Sequence, residues 1–341
     1  MASSSTLAQL SKTSIRLYRV LIRECRLAVS SGDHTIFLQR PLNPRDWGLA
    51  RLFTCQNLLI QEHRSDGENC EHIRRKGFVY EPNEILKFVD NYLQYESVLL
   101  ASTMSSPSSM WSSLDSFFVT TDTLTQTVRF AFRSSSVTPE TTASSDQIKS
   151  DILRMHRRAI DAMRLLRVQL SLRDTTSVYY NPIHHVRVVA TSTCVGRVAT
   201  TTSMSMKQPE QHGPKYRFAY RIRVENCNDP VTTHTSVQLL GRSWNISEVG
   251  GDTFNVHAPT TGAVGHMPVI QPGQVFEYMS GVDLETTTGS MSGHFHMAIV
   301  DKESESMLVE EQKFAEDKFS DEKLFQLDVA PFALIATESQ N

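Results

Sequence analysis

Four groupings of residues have types and spacings that could do chemistry. The hexad Thr260-Thr261-Gly262-Ala263-Val264-Gly265 approaches GxGxxG, a glycine pattern that lets backbone amides close on a pyrophosphate. Its first glycine is replaced by Thr260, and it lies between strand-like runs. A dinucleotide site needs a strand-to-helix turn, with the helix N-terminus at the anion. Gly262 and Gly265 are therefore expected to serve turn geometry, with phosphate capture as the alternative. His294 and His296, at i and i+2 of one strand, would face the same side as two ligands of a metal pair, but no Cys or acid accompanies them at ligand spacing. His184-His185 has the same weakness. Arg242 and Trp244 also share a strand face; a guanidinium beside an indole can hold an anion or peptide carboxylate, or anchor the fold by stacking. Finally, Arg16, Arg19, Arg23 and Arg26 recur at helical spacing, a surface suited to an anionic partner. GxSxG, P-loop and HExxH patterns are absent, so no catalytic residue is assigned and no metal site is expected.

The elements that must position these residues follow from periodicity. Tyr216–Glu225 alternates aromatic or aliphatic residues with arginine, the pattern of a half-buried strand. Val237–Ile246 is a second run, and Val275–Met279 follows the Pro272-Gly273 turn. Val186–Thr202 supplies another strand before the loop Lys207–Pro214. Thr13–Val29 carries apolar residues at Ile15, Tyr18, Ile22, Cys25 and Val29, beside the arginine stripe, and Thr13 or Ser14 can cap it. Two more helices are expected over Pro44–His63 and Pro82–Leu100. Ser102–Ser145 is rich in serine and threonine and reads as a linker with a short ordered island around Phe117-Phe118 and Val128–Phe132. Gln147–Arg173 is a helix whose stripe is Ile148, Ile152, Met155, Ile160, Met163, Leu166 and Leu170, flanked by five arginines. That basic face is solvated or meets an anion such as ribosomal RNA. Lys302–Lys323 is a charged insertion, expected as an exposed loop or short helix.

Composition narrows the classes. A chain of 341 residues suggests two domains, and a net charge of -3 gives no sign of a nucleic-acid protein in the whole. No run of about 18 apolar residues spans a membrane. Five cysteines, none in a CxxC pair, suit a reducing compartment. Before Glu24 the ionisable side chains are Lys12, Arg16, Arg19 and Arg23, a composition suited to a mitochondrial targeting helix or to a basic first helix of the fold.

The block from Tyr220 through His294 resembles the ApaG domain. The matching residues include Tyr220, Asn226, Leu239-Leu240-Gly241-Arg242, Trp244, Gly265, Pro272-Gly273, Tyr278, Ser280-Gly281, Gly289, Met291 and Gly293-His294, and the match resumes over Phe325–Ala336. The resemblance covers about the last 155 residues. It implies an immunoglobulin- or fibronectin-like β-sandwich acting as a binding module, with Arg242, Trp244, Gly262 and Gly265 as its ligand candidates. Bacterial ApaG proteins often carry the full glycine hexad, which implies pyrophosphate binding or hydrolysis as the competing function.

Leu17-Tyr18-Arg19, near the start of a basic amphipathic helix, resembles the LYR motif of small antiparallel three-helix mitochondrial proteins. Ile73-Arg74-Arg75-Lys76 stands where that family carries a basic cluster, and Phe53 and Phe78 are both candidates for its downstream phenylalanine. This resemblance covers about the first hundred residues and implies binding of the mitochondrial acyl carrier protein. Arg16, Arg19 and Arg23 would meet the phosphate of the carrier's acyl-phosphopantetheine, and Tyr18 would shape the helical core. No cofactor is then bound directly.

The expected fold is α+β and multidomain: a helical LYR-like domain over 1–103, a linker over 104–145, a basic connecting helix over 146–175 and an ApaG sandwich over 180–341. The expected function is a non-catalytic mitochondrial adaptor. It would be an accessory subunit or assembly factor of a respiratory-chain or mitoribosomal complex, in the matrix or on the matrix side of the inner membrane. The alternatives are a pyrophosphate-hydrolysing ApaG protein and an RNA-associated structural protein using Gln147–Arg173.

Overall fold

A computed structural model describes residues 2–27, 35–40, 42, 46–54, 82–101, 117–134, 145–198, 215–230, 235–251, 253–259, 261–300 and 321–336. The chain divides into two compact units. One comprises Met1–Arg40 with Gly67–Ser171, and the other Pro41–Asp66 with Leu172–Asn341.

The helical unit contains α1 (Ala2–Leu27), α2 (Pro82–Ala101), α3 (Thr121–Ser134) and most of α4 (Ser145–Asp174). Strands β1 (Thr35–Leu38) and β3 (Phe117–Thr120) pair antiparallel beside them. Its core gathers Cys25, Ile36, Leu38, Ile85, Phe88, Tyr92, Val119, Leu124, Leu165 and Leu166. The α1 helix begins well before Thr13. Thr13 and Ser14 therefore do not cap it: their hydroxyls donate to the Gln9 and Leu10 carbonyls one turn back, at 3.1 Å each. Tyr18, Ile22 and Cys25 face the interior as the spacing predicts, but Ile15 is exposed, and so is Ile160 of α4.

The serine- and threonine-rich stretch is more ordered than its composition suggests. Val119 is completely buried, and the expected island forms a strand followed by a helix. Thr120 is the N-cap of α3, its Oγ1 accepting from the Thr123 amide at 3.1 Å, and the Thr127 hydroxyl returns to the Thr123 carbonyl at 2.8 Å. Threonine here satisfies the backbone locally while Leu124 and Val128 do the packing.

The helix expected over Pro44–His63 is corrected. Ala50–Thr54 is a strand, β2, paired antiparallel with a strand of the sheet unit from Gln274↔Thr54 to Tyr278↔Ala50. Its burial alternates, and its cross-strand ladder outweighs the weak helical periodicity of the segment. Within the same span residues 46–49 are also non-α-helical, while 44–45 and 55–63, Val29, the Ile73–Lys76 cluster, Phe78, the Lys207–Pro214 loop and most of Lys302–Lys323 lie outside the described residues.

The sheet unit adds β4 (Thr176–Asn181), β5 (Val186–Val198), β6 (Lys215–Asn226), β7 (Ser236–Glu248), β8 (Thr253–Ala258), β9 (Val269–Ile270), β10 (Gln274–Leu284), β11 (Thr288–Val300) and β12 (Leu324–Ile335). One sheet runs β2-β10-β6-β5-β4 and the other β12-β11-β7-β8, with β9 on β7. The pairs are antiparallel throughout. A single apolar core joins both sheets, including Phe218, Tyr220, Ile222, Trp244, Tyr278, Phe295, Leu327 and Phe332. This is a two-sheet β architecture with a separate helical unit.

Trp244 is 2 % exposed and meets Phe295 and Tyr220 edge to face, with ring centroids at 5.6 and 6.3 Å. Truncating such a side chain costs about 3–5 kcal/mol. Trp244→Ala is expected to abolish amide protection across β5–β12 in hydrogen exchange while α1–α3 keep theirs. Uniform protection in the variant would contradict this packing.

Candidate functional site

Three arrangements in the sheet unit and one in the helical unit bear on function. The first surrounds the glycine loop. Gly262, Val264 and Gly265 have φ of +63, +53 and +77°, the left-handed region. The Gly262 amide donates to the Leu240 carbonyl at 2.8 Å, and Ala263 and His266 exchange both backbone hydrogen bonds at 2.9 and 3.0 Å. A Cβ on Gly262 would stand 2.1 Å from the His266 carbonyl oxygen. The loop leads to β9, with no helix N-terminus behind it. Its glycines are explained by a closed turn, as expected from the strand context. Thr260 lies outside the described residues.

Arg242 and Trp244 do share a face, but they do not stack. Trp244 is packed among aromatic rings, while Arg242, half-buried, donates from Nη1 to the Gly262 carbonyl. The guanidinium also acts electrostatically on two buried phenols. Burial raises the Tyr220 hydroxyl, opposed by a hydrogen bond with Ser280 and by Arg242. Burial pushes Tyr278 well above its usual value, with Tyr220 adding to the effect and Arg242 opposing it. The Tyr278 hydroxyl and Trp244 Nε1 are buried without a hydrogen-bond partner.

The second arrangement is histidine-rich. His294 and His296 lie with rings 4.9 Å apart on the outer face of β11, and His257 of β8 is 5.7 Å from His296. Ser243 Oγ bridges them, 2.7 Å from His257 Nδ1 and 3.1 Å from His296 Nε2. Sequence pairing found the first two; His257 came only through strand order. Among the described residues, no group of three or more His, Cys, Asp or Glu has metal-holding geometry. His184 and His185 sit in a turn rather than on a strand, with the Tyr180 hydroxyl 2.7 Å from His185 Nδ1.

The third arrangement was not read from the sequence. The alternation along β6 predicted a half-buried strand, yet Arg221 and Arg223 are each 1 % exposed. They belong to a charged ladder. Arg187 of β5 pairs with Glu225, and Arg223 donates to Glu225 at 2.9 Å and to Glu277 of β10 at 3.3 Å. Arg51 of β2 donates to the other Glu277 oxygen at 3.2 Å. Burial alone would raise the Glu225 carboxyl, but Arg187 and Arg223 hold it below the usual carboxylate range. Burial pulls Arg221 down to about 10 against the attraction of Glu277. No local sequence signal marks this ladder, because Glu277 meets Arg223 only through the pairing of β10 with β6.

In the helical unit, Tyr18 is half-buried and meets Phe132 of α3 edge to face at 5.4 Å. Arg16, Arg19 and Arg23 are exposed, and Arg23 approaches Glu24 at 3.8 Å. One and two turns beyond Tyr18, Leu21 and Cys25 line a largely apolar cavity of about 380 Å³. Phe88, Leu124, Val128, Phe132 and Leu166 line it too, and Asp90, Asp151, Arg154 and Arg158 give it a charged end. Arg158 pairs with Asp90 at 2.5 Å and Arg154 with Asp151 at 2.8 Å, so two arginines of the basic α4 face already have carboxylate partners. Burial pushes the Cys25 thiol up to about 11, with the charge of Glu24 adding to it, so this thiol is inert at neutral pH. Among the described helices none is long and apolar enough to cross a membrane.

Comparison with known proteins places the sheet unit. The family model of the ApaG domain matches residues 206–299. Protein ApaG of Xanthobacter autotrophicus is 39 % identical over 101 residues, 30 % of this chain and 72 % of that protein. The chain belongs to the ApaG family. Protein ApaG of Pectobacterium atrosepticum is 38 % identical over 105 residues, 31 % of this chain and 75 % of that protein. F-box only protein 3 of Homo sapiens is 37 % identical over 113 residues, 33 % of this chain, but the match spans only 23 % of that protein. Among solved structures, an ApaA protein from Bordetella pertussis is 23 % identical, with a TM-score of 0.28 over 48 % of this chain and 98 % of that one.

Two outcomes test the ApaG site. Removing one partner of a buried ion pair costs about 3–5 kcal/mol, so Glu225→Gln should lower stability by about that much in denaturant unfolding. Because the folded carboxyl titrates lower than in the unfolded chain, its stabilisation is present above the unfolded value and is lost as pH falls through the folded one. The wild type should therefore lose stability on acidification below about pH 4.3, and the variant should lose less. For the loop, calorimetry with dinucleoside polyphosphates should show no binding tighter than about 1 mM. Micromolar binding abolished by Gly265→Val, with the fold intact, would overturn the turn assignment.

Proposed function

We propose that this protein is a non-catalytic mitochondrial adaptor. Its LYR-like helical unit binds an acylated acyl carrier protein, and its ApaG unit, read as an immunoglobulin- or fibronectin-like sandwich, binds a second protein. The client is a complex of the respiratory chain or the mitochondrial ribosome, which it serves as accessory subunit or assembly factor. The observation that carries this reading is the apolar cavity of about 380 Å³ set among the same helices as the α1 motif. Its volume lies in the range of sites for small apolar ligands. Leu21 and Cys25 of α1 line the cavity, while Arg16, Arg19 and Arg23 of the same helix stand in solvent. An acyl chain thus has an apolar space, and the phosphate at its attachment point has exposed guanidinium groups. Four arginines over about three turns repel one another, and an acidic partner with a phosphate relieves that repulsion. Tyr18 positions the helix through Phe132 rather than touching the carrier. The acyl-phosphopantetheine remains covalently the partner's, so no cofactor belongs to this chain. Turnover of a pyrophosphate substrate finds no supporting geometry in the closed glycine turn.

Co-expression with an acylated carrier tests the reading. The wild type is expected to elute as a 1:1 complex. Arg19→Ala with Arg23→Ala should elute alone with unchanged helicity, since each lost charge-assisted bond to phosphate costs about 1.5–3 kcal/mol. Filling the cavity with Ala162→Phe should remove the preference for acylated over unacylated carrier. No complex with any acylated carrier at low salt, with the helical unit folded, would refute the proposal.

A further inference from the structure

We infer that the ApaG unit takes an extended peptide of a partner protein along the open side of its two sheets, between β2 and β8, with a carboxylate of the peptide at Arg242. This rests on the protein-binding reading of the ApaG unit and does not depend on the carrier reading of the helical one.

The two sheets are closed on one side. There β12 lies against β4 and β5, and Ser177 and Ser192 donate from Oγ to the Ala330 and Ala333 carbonyls at 2.7 and 2.5 Å. At the opposite ends of the strand orders stand β2 and β8, each with one neighbouring strand among the described residues. Register tells which of their side chains turn inward. Leu52 is opposite Phe276, while Phe254 and Val256 are opposite Ile246 and Trp244. Those partners belong to the apolar core. Leu52, Phe254 and Val256 are nonetheless 44, 38 and 39 % exposed. Side chains that the pleat directs into the interior thus stand in water along the side where the described residues provide no closing strand. An edge with unpaired N–H and C=O groups and alternating apolar side chains is the template for strand addition. The six residues of β8 and five of β2 offer a ladder of about five residues to an incoming strand.

The floor of this side supplies charge complementarity. Arg242 is next to β8, opposite Ala258, and only half-buried. The Tyr278 hydroxyl, 1 % exposed and without a hydrogen-bond partner, lies within its electrostatic reach on the core face of β10, opposite Ala50 of β2. Arg242 spends Nη1 on the Gly262 carbonyl and stays only half-buried, and the Tyr278 hydroxyl beside it has no hydrogen-bond partner among the described residues. A carboxylate, from an acidic side chain or a chain terminus, is the acceptor that suits the remaining N–H groups of the half-buried guanidinium. Core-facing apolar pockets and a terminal or side-chain carboxylate together specify an extended apolar-acidic peptide.

The experiment uses the full chain and random dodecapeptide libraries displayed with free or with amidated carboxyl ends. Selected peptides are titrated as soluble fluorescent probes against the wild type, Arg242→Gln and the double variant Phe254→Thr with Val256→Thr, with fold checked by circular dichroism. The expected hits carry apolar residues at alternate positions and a carboxylate. Each variant should weaken them by about tenfold or more, and bound peptide should protect the amides of β2 and β8 from hydrogen exchange. Loss of hits only from the amidated library identifies a chain terminus as the carboxylate source; equal hits identify an acidic side chain. No enrichment, hits indifferent to both variants, or protection elsewhere would overturn the inference. So would a concentration-dependent dimer abolished by the double variant, which would make the occupant a second copy of this chain. Peptide capture with no carrier binding removes only the adaptor reading of the helical unit; carrier binding without peptide capture removes only this one.

Discussion

The charged ladder on the outer face of the β2-β10-β6-β5 sheet constrains everything around it. Arg187 and Glu225, Arg223 and Glu277, and Glu277 and Arg51 are each directly opposite across a strand boundary. Four strands from four separate parts of the chain are therefore tied by charges that, apart from the partly exposed Arg51, are almost wholly out of water. A slip of one residue in any pair would drive arginines into the apolar core and aromatics onto the charged face. Such a ladder adds little net stability over an apolar equivalent, because desolvation offsets attraction, but it penalises every wrong register heavily. It also explains β2: the strand is far in sequence from β10, and Arg51 gives it an ionic partner there that a helix over the same residues would not have.

With register set by the outer face, the inner face builds the apolar core. Tyr220, Trp244, Tyr278 and Phe295 interlock as edge-to-face rings. Arg242, on the same face as Trp244, holds the glycine turn through the Gly262 carbonyl. The turn needs left-handed backbone and a bare Cα at Gly262, which is what a GxGxxG-like string provides whether or not phosphate is present. The open side between β2 and β8 is where this rigid frame meets solvent with apolar groups, the opposite of how edges are protected in a closed sandwich.

The helical unit follows a different logic. Its core is small, and a cavity of about 380 Å³ remains within it. Local hydrogen bonds compensate for composition: Thr120 caps α3, and the Gln169 side chain closes on Gln39, donating to its carbonyl at 2.8 Å and accepting from its amide at 2.9 Å. Arg16, Arg19 and Arg23 of α1 are exposed and take no part in these buried polar contacts.

What the sequence determined by itself was local and periodic. Alternation marked β5, β6, β7 and β10, the 3.6-residue stripe marked α1 and α4, and the string from Leu239 to Trp244 with the glycines after it marked the ApaG unit. The turn role of Gly262 and Gly265 was legible because a helix-start signal was missing. Tertiary structure alone decided the rest. Ala50–Thr54 became a strand because a ladder on β10 was available, and the helical pattern expected over Pro44–His63 does not outweigh that pairing. Val119 and Leu124 were buried despite a serine- and threonine-rich setting because β1 and two helices supplied the other wall. The strand β6 was read as half-buried, because period two says that two faces differ, not whether the second is covered. The burial of its arginines depended on carboxylates from β6 itself and β10, and such long-range pairing has no local signature. The same holds for His257 beside His296, and for the three apolar residues left exposed where two sheets end: each is a fact of strand order, which sequence periodicity does not contain.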